Sequence, residues 1–300
     1  MADQNSLAKR LGYAADDRLL IVNCDDLGVS HAANVATSKA MAEGVATSAT
    51  MMVPCRFARE AAEMFAGLDI GVHLTLTSEY PNYRWSSLTG RASLHDDDGT
   101  FPRTTEAAAK RMETEDVRAE CRAQIDCALG WGIDVTHLDA HMHAVEARAD
   151  LFDVYLDLAV EYGVPLRMIT PAQAKQLGLA GFHSARRAAA RGIIFNDHLV
   201  YPWPRPTREV IFEQLPGLPA GVSEIFAHPV QDGEELRGYG PNYADLRAHD
   251  ATCLIDPGVR ELIALHGFKP ISYRPLRGLQ RNGSCLQGGR QRTPALANRG

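Results

Sequence analysis

The stretch RLLIVNC, residues 18–24, leads directly into Asp25 and Asp26 and determines how the rest of the chain can fold. A short apolar run that ends in acidic residues predicts a buried strand. Ser30 follows as the expected N-cap of a helix over residues 31–43. A strand that passes through a short turn into a helix is the first half of a βα unit.

The same order recurs along the chain. Further strands are predicted at residues 46–53, 70–76, 135–139, 164–169, 193–201, 223–227 and 271–273, and helices at 56–65, 106–131, 151–162, 171–191, 207–214 and 257–266. Strands that alternate with helices favour a mostly parallel sheet with right-handed crossovers. The predicted class is α/β, with about seven βα units in a closed or nearly closed barrel. An open doubly wound sheet is the alternative.

Composition excludes several classes of protein. The 300 residues are 45% hydrophobic and 23% charged, with 31 Lys and Arg against 37 Asp and Glu, so the net charge is −6. A mildly acidic chain lacks the basic surface that binds nucleic acid or anionic membranes. No apolar run approaches the roughly 18 residues of a membrane span. The amino terminus has no apolar signal core, and a cytoplasmic location is expected. The six cysteines form no CxxC pair and are expected to be reduced.

The predicted domain organisation is a single barrel over residues 18–277. Residues 1–17 form an N-terminal extension, and residues 278–300, with few large apolar residues, are expected to be a disordered tail. Residues 77–105 contain Pro and Gly and an acidic run, and so predict a long loop. Loops of this length inside a compact domain are usually functional or mobile.

Reactive residues lie where predicted strands end. Asp25 and Asp26 close the first strand, His73 lies on the third, and His228 follows a later one. The carboxyl ends of parallel strands form the active site in α/β folds, so these side chains are expected to meet. Two alternatives remain: the acids could be a turn or capping pair before Gly28, and His73 could be a hydrogen-bonded core residue.

The segment THLDAHMH, residues 136–143, has the densest polar pattern. Its chemically active side chains alternate: His137, Asp139, His141 and His143. In an extended chain they share one face, where burial without partners would be costly. A divalent metal ion would satisfy them, and imidazole with carboxylate suits Zn, Mn, Fe, Co or Ni better than Mg. A surface histidine cluster is the alternative.

Six motifs in order resemble the YdjC-like carbohydrate deacetylases, a family that includes chitooligosaccharide deacetylases and a branch in hopanoid biosynthesis. They are IVNCDDLGVS (21–30), GVATSATMMV (44–53), IGVHLTLT (70–77), THLDAHMH (136–143), VPLRM (164–168) and EIFAHP (224–229). The resemblance covers about residues 18–277. It implies a distorted, TIM-like (β/α) barrel related to polysaccharide deacetylases.

The resemblance also implies roles for individual residues. The implied metal ligands are Asp26, His73 and His141. Asp25 would be the catalytic base, and His228, as imidazolium, would be the acid or shape the pocket. Asp139 and His143 would orient a ligand or hold substrate. Apart from the resemblance, the position of Arg167 at the end of the fifth predicted strand suits it to orient Asp25 or bind substrate, with a surface salt bridge as the alternative.

The implied reaction is removal of an N-acetyl group from an amino sugar by attack of metal-bound water. One divalent ion is expected, with Mg or Zn as the first choices. A chito-oligosaccharide and a glycolipid precursor both remain possible substrates, and a homodimer is compatible with the resemblance. The alternatives are another metal-dependent sugar-processing or phosphoester-hydrolysing barrel enzyme, and a non-catalytic carbohydrate-binding protein.

Overall fold

A computed structural model describes residues 6–179 and 185–285 of the chain. Its strands are β1 (Arg18–Leu27), β2 (Ser48–Met51), β3 (Ile70–Leu74), β4 (Leu138–Ala140), β5 (His198–Val200), β6 (Gly221–Ala227) and β7 (Phe268–Pro270). All pairings between them are parallel, in the order β4-β3-β2-β1-β6-β5, with β7 against the start of β1. The parallel sheet confirms the predicted fold class.

Two single-residue bridges complete the ring of strands. Leu138 in β4 pairs with Leu166, and Leu166 pairs with Phe195, which lies just before β5. The predicted strand at 164–169 is thus reduced to one bridging residue, Leu166, and this accounts for the distortion of the barrel. Because β5 pairs with β6, the sheet returns to β1 and the open doubly wound alternative is wrong.

Helices surround this sheet. They are α1 (Leu7–Arg10), α2 (His31–Ala42), α3 (Ala58–Met64), α4 (Thr105–Arg111), α5 (Thr114–Gly130), α6 (Ala149–Tyr162), α7 (Pro171–Gln176), α8 (Ala185–Ala190), α9 (Thr207–Gln214), α10 (Glu234–Tyr239), α11 (Ala244–Cys253), α12 (Pro257–Leu265) and α13 (Tyr273–Cys285). The Ser30 side chain caps α2 by accepting from the Ala33 N–H, as predicted. Neither α10 nor α11 was predicted. In the described parts of the chain, no helix has the length and apolar character that crossing a membrane requires.

The carboxyl-terminal boundary of the barrel lies later than predicted. Helix α13 continues over residues 278–285, which the composition assigned to a disordered tail. Tertiary contacts explain the difference, because the buried Gln280 side chain accepts a hydrogen bond from the Ile194 N–H at 2.6 Å. Residues 286–300 lie outside the described residues, and the division of the chain into extension, barrel and tail otherwise stays a prediction.

The last strand is also displaced from its predicted position. It covers Phe268–Pro270 instead of 271–273, because the chain turns into α13 at Tyr273. At the same end of the barrel, Leu7 and Ala8 of α1 pack in one apolar cluster with Tyr273. Part of the predicted N-terminal extension therefore contributes to the core.

The interior of the barrel is polar. Asn23 of β1 accepts from Ser48 at 2.7 Å and donates to Thr50 at 2.9 Å, and Thr50 donates to Asp139 of β4 at 2.9 Å. All four side chains are buried. Since buried polar groups cost free energy unless they are hydrogen-bonded, this network indicates that the interior supports a site and not simply a core.

Candidate active site

The irregular end of β1 brings two consecutive acids to one cavity. The pairing of β1 with β2 shifts between Cys24 and Leu27, and Asp26 has a left-handed backbone with φ 62°. On a regular strand, Asp25 and Asp26 would point to opposite faces. Here both are buried and line the same cavity. A capping or turn role alone does not explain this placement.

Asp26 lies at the centre of a potential ligand set. Its Oδ1 is 3.4 Å from Nε2 of His73 and 3.3 Å from Nδ1 of His141, and no described residue forms a hydrogen bond with this buried oxygen. One ligand atom from each of the three residues lies within 4.8 Å of the others. Burial opposes ionisation, but Arg247 and the two histidines hold the pKa of Asp26 well below its usual range. The two histidine nitrogens and this carboxylate oxygen converge on one point, and together they fit one divalent ion.

A carboxylate fixes the orientation of each histidine in this set. His73 Nδ1 lies 2.7 Å from Asp139 Oδ1, and His141 Nε2 lies 3.1 Å from Glu79 Oε2. Burial would lower both pKa values, yet Asp139 raises the pKa of His73 to about 10 and Glu79 raises that of His141 to about 9. Such partners hold the ring so that its other nitrogen faces the metal position.

The segment 136–143 does not continue as an extended strand. Strand β4 ends at Ala140, and Met142 and His143 adopt left-handed conformations with φ 50° and 56°. His137 stacks on Tyr273 inside the barrel at 3.6 Å, away from the ligand set. The prediction that all four polar side chains share one face of an extended chain is therefore wrong, because the strand ends at Ala140 and the backbone turns at Met142 and His143.

His143 has its own partners in the cavity wall. Its Nδ1 lies 2.9 Å from Glu146 Oε1, and its Nε2 lies 3.1 Å from the Tyr201 hydroxyl. His143 therefore faces the cavity without joining the ligand set.

Arg167 is buried among carboxylates and is not a surface salt bridge. Its two Nη atoms each donate to one oxygen of Asp25 at 2.7 Å, and its Nε donates to Glu224 at 2.8 Å. Asp139 Oδ2 lies 2.9 Å from Nη1. Although burial favours the neutral acid, Arg167 holds the pKa of Asp25 below its usual range. Asp25 is therefore an ionised, oriented carboxylate.

Replacing Arg167 with methionine is expected to destabilise the fold by about 3–5 kcal/mol, because it leaves buried carboxylates without their cation. Urea unfolding monitored by circular dichroism measures this change in the free energy of unfolding. The control, Arg205→Met, removes an exposed pair with Glu213 and is expected to leave stability nearly unchanged. Equal effects in the two variants would contradict the interpretation.

His228 lies at the carboxyl end of β6, where its backbone N–H donates to Asp250 at 2.9 Å. Its ring contacts the edge of Trp203, with ring centres 4.9 Å apart. Burial first, and then the charge of Arg247, lower the pKa of His228 to about 4. Burial therefore opposes the imidazolium form that the acid role of His228 requires.

The cavity above these residues has a volume of about 640 Å³. The predicted 77–105 loop supplies Glu79, Tyr80, Pro81, Arg103 and Thr104 to its wall. Further aromatic wall residues are Tyr201, Trp203, Phe226, Tyr239 and Tyr243.

Sequence reasoning missed Glu79, Glu224 and Arg247 as parts of the site. Only Glu224 carried a signal, since it is a charged residue within an otherwise mostly apolar strand.

Fold and site together define a (β/α)-barrel protein with a buried carboxylate–histidine site at the carboxyl ends of its strands. The family model for YdjC-like protein matches residues 19–265, and the chain belongs to this family. The match confirms the resemblance of the six motifs.

Similar proteins cover most of the chain. A carbohydrate deacetylase of Thermus thermophilus is 35% identical over 279 residues, which are 90% of this chain and 98% of the relative. Carbohydrate deacetylase 1 of Listeria innocua is 36% identical over 269 residues, covering 86% and 99%. A crystal structure from Enterococcus faecalis V583, described as a candidate cellobiose-phosphate cleavage protein, aligns with a TM-score of 0.74 and 26% identity over 87% of this chain and 99% of that one.

Proposed function

We propose that this chain is a metal-dependent carbohydrate deacetylase that hydrolyses the N-acetyl group of an amino-sugar-containing carbohydrate. The observation that carries the proposal is the position of the buried Oδ1 of Asp26, which lies between the facing nitrogens of His73 and His141 without a hydrogen bond from any described residue. The carbohydrate deacetylases among the similar proteins support the reaction class.

Asp26, His73 and His141 would hold one divalent ion. When bound, such an ion polarises a carbonyl oxygen and lowers the pKa of water. Magnesium and zinc are the first choices, and two imidazole nitrogens beside one carboxylate oxygen suit zinc better than magnesium.

Asp25 is the proposed base, which takes a proton from the attacking water. Its paired contact with Arg167 fixes both carboxylate oxygens, so the orientation is set before substrate binds. Neutral His228 has no proton to supply at the outset, and it would relay one from Asp25 to the departing nitrogen. Asp139 holds His73, and His143 with Tyr201 forms part of the wall that contacts substrate.

A second metal position is less favourable. Asp25, His73 and Asp139 also lie close enough to form a group of ligands. Both of these carboxylates already contact Arg167, whose positive charge opposes a second cation there. This arrangement favours one ion over the two-metal site of a phosphoester-hydrolysing enzyme.

The substrate proposal follows from the cavity wall. Aromatic rings with polar edges, such as those of Tyr201 and Trp203, line the cavity and suit the apolar faces of sugars. A chito-oligosaccharide or a glycolipid precursor fits this chemistry. The cytoplasmic location and the homodimer stay predictions.

The direct test is release of acetate from N-acetylated sugars by the purified chain. Activity is expected to disappear after chelation and to return when zinc or magnesium is added. A protein that binds these sugars and one metal ion without releasing acetate would instead be a binding protein. Phosphatase activity without acetate release would favour the alternative barrel enzyme.

Metal binding is expected to release two protons at pH 7. His73 and His141, with pKa values of about 10 and about 9, are protonated in the metal-free protein, whereas a ligand nitrogen must be deprotonated. The apparent affinity should therefore rise with pH, by about a hundredfold per unit below pH 9. Calorimetric titration of zinc in buffers of different ionisation enthalpy counts the protons. A count near zero would contradict this assignment.

A further inference from the structure

Arg247 contacts the oxygen of Asp26 that faces away from the two histidines. The residue lies on α11, is 4% exposed, and donates from Nη1 to Asp26 Oδ2 at 2.7 Å. The two oxygens of the Asp26 carboxylate therefore have different surroundings. One oxygen, Oδ2, accepts a charged hydrogen bond from Arg247, and the other, Oδ1, has no hydrogen-bond partner among the described residues.

The position of the Arg247 side chain is fixed by its surroundings. The guanidinium carbon lies 5.9 Å from the centre of the Tyr80 ring and 5.6 Å from that of Trp203. Its backbone oxygen accepts from the Val230 N–H, which ties α11 to the segment that follows β6. Contacts between a guanidinium and aromatic faces are attractive and restrain the side chain.

The placement comes at a cost in hydrogen bonding. The Nε of Arg247 is buried and has no hydrogen-bond partner in the parts of the chain that the structure describes. Buried donors are rarely left unpaired, and each exception calls for an explanation. The unpaired Nε is explained if the guanidinium must be held against Asp26 Oδ2.

A carboxylate can bind a divalent ion through one oxygen or through both. We propose that Arg247 is a positioning residue that restricts Asp26 to a single ligand oxygen, so that three protein atoms hold the ion and the other coordination positions stay open. The inference rests on the metal site of the proposed function. Open positions are what distinguishes a catalytic metal site from a closed structural one.

The charge of Arg247 acts in the same direction. A cation beside a ligand carboxylate repels the incoming ion and weakens its binding. Arg247 therefore lowers the affinity of the site for the metal ion while it keeps coordination positions free. Removing Arg247 should produce tighter metal binding together with slower turnover, a combination that simple loss of structure does not produce.

Cobalt(II) binding to the full chain tests this inference, because its visible absorption weakens as the coordination number rises. Arg247→Met is expected to bind one cobalt at least about tenfold more tightly than the wild type, with weaker absorption and lower deacetylase turnover. Arg247→Lys retains a charged donor and should keep the wild-type spectrum. Arg247→Gln also removes the charge, and it decides the question if the methionine variant does not fold.

Each outcome separates the inference from the proposed function. A wild-type spectrum or weaker cobalt binding in the folded methionine or glutamine variant overturns the role of Arg247 and leaves the metal site intact. A wild-type protein that binds no cobalt overturns the metal site itself.

Discussion

Replacing Asp25 with asparagine is expected to lower turnover about 10²–10⁴-fold while one metal ion remains bound. The amide keeps the size of the side chain but cannot accept a proton from water. In the wild type, Arg167 donates to both carboxylate oxygens of Asp25. The asparagine therefore also places its N–H₂ group against this guanidinium. Metal should stay because Asp25 does not belong to the set of Asp26, His73 and His141.

The chain offers a matched control at the opposite end of the barrel. Asp134 also accepts from both Nη atoms of one arginine, Arg277, at 2.6 Å, but it does not line the cavity. Asp134→Asn should lose an ion pair of the same two-point geometry, on a more exposed carboxylate, and retain acetate release. Steady-state kinetics and metal analysis of the two variants make the comparison. Normal turnover in Asp25→Asn would refute the base assignment.

The positions of Asp25, Asp26, His73 and Asp139 were predictable because three simple features combine. Apolar runs mark β1 and β3, parallel topology brings the carboxyl ends of strands together, and acidic or histidine residues occupy those ends. Each feature is local in sequence, except for the topology, which follows from the alternation of strands and helices.

The path of the chain after β4 was not predictable. Left-handed conformations usually coincide with Gly or Asn, but here they fall on Met142 and His143, so no local signal marked the turn. The alternating pattern of residues 136–143 was therefore extended too far. His137 belongs to the interior and His141 to the ligand set for reasons that only the tertiary structure provides.

Arg247 and Glu79 were missed for a related reason. One lies on a helix with a weak apolar pattern and the other in a long loop, and both reach the site only through packing. Their sequence neighbourhoods resemble ordinary charged surface. Arg247 contacts Asp26 and Glu79 contacts His141 across long sequence separations, and hydrophobic periodicity does not predict such contacts.

Replacing His141 with alanine is expected to remove stoichiometric metal binding and with it all measurable acetate release. The imidazole supplies one of three ligand atoms, and its loss leaves Asp26 Oδ1 opposed by His73 alone. Two remaining ligands hold a divalent ion weakly in competition with water.

The neighbouring histidine provides the control for this experiment. His143 lies two residues from His141 and lines the same cavity, but its partners are Glu146 and Tyr201. The His143→Ala variant should therefore still bind one metal ion. The zinc affinity of Asp139→Asn should lie between those of His141→Ala and His143→Ala. Weakening an outer partner of a metal-binding histidine costs about 10–100-fold in metal affinity. Equilibrium dialysis against zinc ranks the three variants.

The ranking is informative because it depends on which nitrogen each ring presents to the ion. His73 is held through Nδ1 and presents Nε2, whereas His141 is held through Nε2 and presents Nδ1. Removing Asp139 frees one ring to rotate, while removing His141 deletes a donor, so the second effect must be the larger. Equal metal loss in His141→Ala and His143→Ala would mean that the turn after β4, and not the identity of the ligand, holds the ion.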